Sequence, residues 1–269
     1  MEISAILLSE HEGGARPSVC PKAAGDTIIV YPGTHAANDN IIKEGVNYYF
    51  YPGAYVSGGL NVSIMEGTYD TVNVRGYGQF IGGGSYGVHG ALIKLTTNKT
   101  SYLEFDYVRT TSTGNSYESN LRAATSNTTA DIEYFKIKGN IEMTGSGGGS
   151  LVQALYIGAG NVEFEGRVHV AASKNAGTQA IEIDSDASDC WIKADSYAAE
   201  GEALYSHARQ PNVKIEGKYE TGTQGTYYAM QFADTYQGQH LIDAEVIGSM
   251  RIHPGETNYG GVKFRGYQN

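Results

Sequence analysis

The chain has 269 residues, a formal net charge of −10 and 41% hydrophobic residues. A surplus of acid with no cluster of Lys and Arg excludes nonspecific attachment to nucleic-acid phosphates. Its two cysteines, Cys20 and Cys190, are too few for a disulfide-stapled scaffold and read as structural thiols.

The opening run, Met1 to Leu8, lacks a basic leader and its apolar stretch is short, so neither a signal peptide nor a membrane span is expected. Residues 1–25 fall outside any repeat and are expected to cap one end of a repeat array. From residue 26 a strand-like motif recurs at intervals of roughly 20–30 residues. The apolar residues expected to stack inside are Ile29, Phe50, Val74, Phe105, Phe135, Phe164, Ile192, Ile215, Ile242 and Phe264. Polar, Gly-rich excursions at 110–120 and 144–150 read as loops.

After residue 154 each unit contains two strands. Ala154–Ile157 is followed by Asn161–Gly166, Ala180–Ile183 by Cys190–Ala194, Ala203–Ser206 by Asn212–Gly217, and Ala229–Phe232 by His240–Ala244. The residue after each anchor reads Asp106, Lys136, Glu165, Lys193, Glu216, Asp243, Arg265. Parallel strands lie about 4.8 Å apart, so this column predicts an outward ladder of opposite charges. The next column ends in Gly166, Ala194, Gly217, Ala244 and Gly266, small residues where each coil bends. The expected fold is all-β: a single right-handed parallel β-helix of about ten coils over residues 26–269.

The run Gly25-Asp26-Thr27-Ile28-Ile29-Val30-Tyr31-Pro32-Gly33, then Lys43-Glu44-Gly45-Val46 and Phe50-Tyr51-Pro52-Gly53-Ala54, resembles the opening coils of the pectate-lyase-like superfamily of parallel β-helices. That superfamily holds polysaccharide lyases and hydrolases, bacteriophage tailspikes and noncatalytic structural members. The catalytic signatures of its polygalacturonases are missing, and Gly87-Val88-His89-Gly90 matches only part of one. The resemblance therefore implies a noncatalytic module of a phage tail or surface fibre, on a virion or extracellular surface. It also implies a homotrimer that contacts a host glycan or a neighbouring virion protein. A polysaccharide lyase or glycoside hydrolase is the alternative.

One strand face carries the candidate site. Strand alternation sends Tyr156, Glu182, Asp184, Tyr205 and His207 outward on neighbouring rungs. Two carboxylates roughly 7 Å apart with a histidine beside them suit acid–base cleavage of a glycosidic bond. The flanking tyrosines suit sugar stacking without catalysis, and an ordinary solvated face is the plain alternative. Asp184, Asp186 and Asp189 in one turn space acids as calcium loops do, though the glycine and terminal glutamate of such a loop are lacking. A plain acidic turn explains them equally. No other cofactor is expected.

Overall fold

The computed structural model describes residues 5–7, 23–37, 40–84, 86, 90–112, 118–123, 132–144, 152–171, 178–208, 212–222, 227–232, 240–251 and 263–265. Among these residues every regular element is a strand, and the strands pair in parallel from the first pair, β1 with β2, to the last, β20 with β22. The fold is an all-β parallel solenoid.

Strand β1 (Ala5–Leu7) pairs with β2 (Thr27–Val30), and β3 (Gly33–Ala37) comes next. Then come β4 (Asn47–Phe50), β5 (Ala54–Leu60) and β6 (Met65–Tyr69), and after them β7 (Asn73–Gly76), β8 (Gln79–Gly84) and β9 (Ala91–Thr97). From there one long strand replaces two. The pairs are β10 (Ser101–Ser112) with β11 (Glu118–Ala123), β12 (Phe135–Met143) with β13 (Val152–Ile157), and β14 (Val162–Val170) with β15 (Thr178–Ile183). They continue as β16 (Trp191–Ala198) with β17 (Glu202–Ser206), β18 (Val213–Thr221) with β19 (Met230–Phe232), and β20 (His240–Ile247) with β21 (Met250–Arg251). The last strand is β22 (Lys263–Arg265).

The regular two-strand part thus makes about six turns rather than ten. The earlier circuits have a different form: β7 and β8 are separate strands that both pair with β10, one along each half. The long strands form a 14-stranded sheet with β1, β2, β4, β7 and the β3–β5–β8 branch. The remaining strands form an 8-stranded sheet.

Interior stacking corrects the anchor register. The buried column runs Ile28, Tyr48, Val74, Leu103, Ile137, Phe164, Ile192, Ile215, Ile242. Ile29 is one place off and only half-buried, because its neighbours Ile28 and Val30 point inward. Phe135 is buried but pairs with Val162, two places from its expected level. Phe105 sits in an irregularity of β10 between Glu104 and Tyr107. Phe50 pairs with Val30 and Gly76, two places from the predicted level, and Phe264 pairs with Val246, four places from Ile242.

The charge ladder is present, but Asp106 and Lys136 give way to other members and Arg265 falls outside it, level with Ile247 instead of Asp243. Glu104, Lys138, Glu165, Lys193, Glu216 and Asp243 are in register, with Glu104 and Lys138 in the places expected for Asp106 and Lys136. Arg75 extends it by an ion pair to Glu104 at 2.9 Å. Lys136 belongs to the adjacent column and pairs with Glu163 at 2.6 Å.

The small-residue column is Gly139, Gly166, Ala194, Gly217 and Ala244, in register across five long strands. Here each long strand turns a corner. A Cβ on Gly217, whose φ is 112°, would lie 2.1 Å from the carbonyl oxygen of Ala194 on the rung below. At Gly166 it would lie 1.9 Å from the Gly139 oxygen. Rungs this close leave no room for a Cβ at Gly166 or Gly217, and the column elsewhere holds nothing larger than alanine. Gly217→Ala should therefore lower unfolding stability by about 2 kcal/mol or more. Lys193→Ala, on the exposed ladder, should cost about 0.5 kcal/mol or less. Urea unfolding of both variants checks the contrast.

Candidate functional site

The predicted site residues do come together on the 8-stranded sheet. Arg122, Tyr156, Glu182, Tyr205 and Gln231 form one in-register column across β11, β13, β15, β17 and β19. Asp184 and His207 lie directly after β15 and β17. Their backbone amides continue the ladder onto Ile157 and Ile183.

Full solvent exposure is not found for these residues, although Asp184 and His207 keep part of theirs. Glu182 is only 5% exposed and Arg122 only 4%. Tyr156 and Tyr205 are half-buried. Nor are the acids unpaired. Glu182 accepts from the Gln153 amide on one oxygen, and its other oxygen lies 2.8 Å from His207 Nε2. Asp184 accepts from the Tyr156 hydroxyl on one oxygen and from the Ser185 amide on the other. A charge this deep in the fold persists only when such partners replace water.

Around these two acids the contacts are dense. Arg122 donates to Gln153 Oε1 at 2.9 Å and to Ser119 Oγ at 3.2 Å. Its guanidinium lies 3.7 Å from the centre of the Tyr156 ring, a cation–π contact that covers that ring. Tyr205 meets the His207 ring edge to face at 4.7 Å.

Burial pushes the Tyr156 hydroxyl well above its usual range, and its bond to Asp184 adds to this. Burial alone would raise Asp184. The bonds from Tyr156 and Ser185 outweigh it and hold the carboxyl below the ordinary aspartate value. For Arg122, burial pulls the guanidinium below its usual value, against the opposing pull of Tyr156, Glu182 and Asp184.

Sequence reasoning missed a second polar column. Ser119, Gln153, Gln179 and Glu202 are in register at the start of the same strands, and all four are buried. Three polar residues spaced three positions before Tyr156, Glu182 and Tyr205 were its visible signal. Burial pushes the Glu202 carboxyl up to about 7, although its own backbone amide works the other way.

The acidic turn is held by its own contacts. Asp184 is occupied as described, Ala187 closes the turn onto the Asp184 carbonyl at 3.1 Å, and Asp189 accepts from Asn212 at 2.8 Å. Among the described residues no group of three or more His, Cys, Asp or Glu is arranged to hold a metal ion. Cys190 is buried and free, and burial pushes its thiol up to about 12, as suits a structural role. Cys20 and most of Gly87–Gly90 lie outside the described residues.

A different concavity lies at the corner of the 14-stranded sheet. It has a volume of about 480 Å³. Its floor is Phe105 and the backbone of Gly76, Gly139 and Gly166, and Tyr49 and Tyr77 stand at its edge. A second hollow of about 410 Å³ lies on the long strands just past the corner, where His169 stacks on Tyr197 at 5.0 Å. Comparison of the chain with protein-family models, curated proteins and solved structures finds no match.

Two pH dependences of stability arise from these carboxyls. Asp184 is depressed in the folded state, so its contribution is present above the ordinary aspartate value of 3.8 and lost as pH falls through its lower folded value. Tyr156→Phe removes the main donor, so it should destabilise the protein at pH 7 and much less at pH 2. Glu202 has the opposite sign. Its folded value of about 7 exceeds the ordinary 4.5, so stability falls as pH rises from 4.5 to 7. Glu202→Gln should recover on the order of 3 kcal/mol at pH 8 and nothing at pH 4. Thermal unfolding of each variant across pH reads both signs.

Proposed function

We propose that the protein is a noncatalytic β-solenoid module of the phage-tail or surface-fibre kind, which presents its flank to a glycan or a neighbouring virion protein. The observation that carries this reading is the saturation of the two candidate catalytic acids. Cleavage of a glycosidic bond needs one carboxyl ready to give a proton and another free to attack or to activate water. Both oxygens of Glu182 and of Asp184 are instead engaged by internal partners. The arrangement stiffens a sheet and leaves neither acid open to a substrate.

The resemblance of Gly25–Ala54 to the pectate-lyase-like superfamily is consistent with this reading, since that superfamily includes structural members. A homotrimer on a virion or cell surface is the assembly that goes with it.

Incubation with bacterial and plant polysaccharides, read by reducing ends and by the absorbance of unsaturated products, is expected to yield no product. Turnover that disappears in Glu182→Gln would establish the lyase or hydrolase alternative instead. Light scattering should give about three times the chain mass of 28.9 kDa, and a monomer at high concentration would remove the trimer.

A further inference from the structure

The hollow at the corner of the long sheet has features that the acid network lacks. Tyr77 is 55% exposed and Tyr49 is 39% exposed, against the buried or covered groups of the other face. Tyr49 is also held in place. Tyr51 meets its ring edge to face at 5.4 Å, and Tyr51 in turn stacks on Tyr31 at 5.2 Å and 7°. A braced ring at the rim of a cavity loses little freedom when something stacks on it.

Glu104, Asp106, Glu165 and Lys138 line the same hollow. Glu104 is paired with Arg75 at 2.9 Å, Asp106 accepts from Gln79 at 2.9 Å, and Glu165 lies in register between Lys138 and Lys193, so the lining offers both donors and acceptors with its charges balanced. Phe105 supplies an apolar patch beneath them. Apolar ring faces beside dense polar edges are the chemistry of a sugar, and the volume falls within the range of small-ligand sites.

We infer that this hollow binds a neutral oligosaccharide, stacked on Tyr49 and Tyr77 with its hydroxyls on the charge-balanced wall. The inference rests on the glycan-contact reading above and supplies its site and ligand class. It moves the site away from Tyr156 and Tyr205.

The test is a glycan array holding neutral, amino-bearing and uronate oligosaccharides, with calorimetric titration of the tightest binder. Wild type, Tyr77→Ala and Tyr205→Ala are compared. Tyr77 is exposed, so its variant should unfold at the wild-type midpoint. The expected result is binding to neutral glycans, weakened about tenfold by Tyr77→Ala and unchanged by Tyr205→Ala. Binding confined to uronates or amino-bearing glycans, or lost in Tyr205→Ala and kept in Tyr77→Ala, overturns the inference while the glycan reading stands. So does a Tyr77→Ala variant that loses its assembly and keeps its glycan affinity, because the hollow is then a subunit contact. An array with no signal removes the glycan reading, and the inference with it.

Discussion

Everything in this solenoid depends on one constraint: each rung must lie about 4.8 Å above the last and carry a side chain that fits the one below. Inside, the constraint selects a continuous apolar column from Ile28 to Ile242. Outside, it places like next to unlike, and the ladder from Glu104 to Asp243 alternates in sign until its last step. At the bend it admits only glycine and alanine. These are three answers to the same spacing, and they differ only in which atoms meet.

The fold was legible because the constraint repeats. Phe164, Ile192 and Ile215 share a buried level, with Glu165, Lys193 and Glu216 outside, as their spacing predicts. Register was less legible before residue 140. Phe135 and Ile137 both point inward, and an even slip along a strand leaves every side chain on the correct face. Only the irregularity in β10 decides between them, and it leaves no mark in the alternation of the sequence. The fusion of two short strands into one long one was equally hidden, because Gly76 and Gly139 look alike as letters. One ends a strand, and the other sits inside a continuous strand.

The site was legible as a neighbourhood and not as an environment. Alternation correctly put Tyr156, Glu182 and Tyr205 in one column, because pairing obeys period two. Their burial and saturation depend on Arg122, Gln153 and Ser119, whose reach toward Tyr156 and Glu182 comes from side-chain length and rotamer. The hollow beside Tyr49 and Tyr77 was illegible for a related reason. Its walls come from strands far apart in the chain, and its depth comes from atoms that the glycines do not have.

The corner glycines have one further consequence, for how such a surface changes over time. The floor of the hollow is main chain, fixed by the approach of one rung to the next, and replacing Gly139 or Gly166 disturbs the stack itself. The wall residues, among them Tyr77 and Lys138, project from positions that the stack does not need. Recognition and architecture are thus written in separate letters of the same strands. A lineage built on this frame is free to exchange one ligand for another, rung by rung, while the rod beneath stays the same.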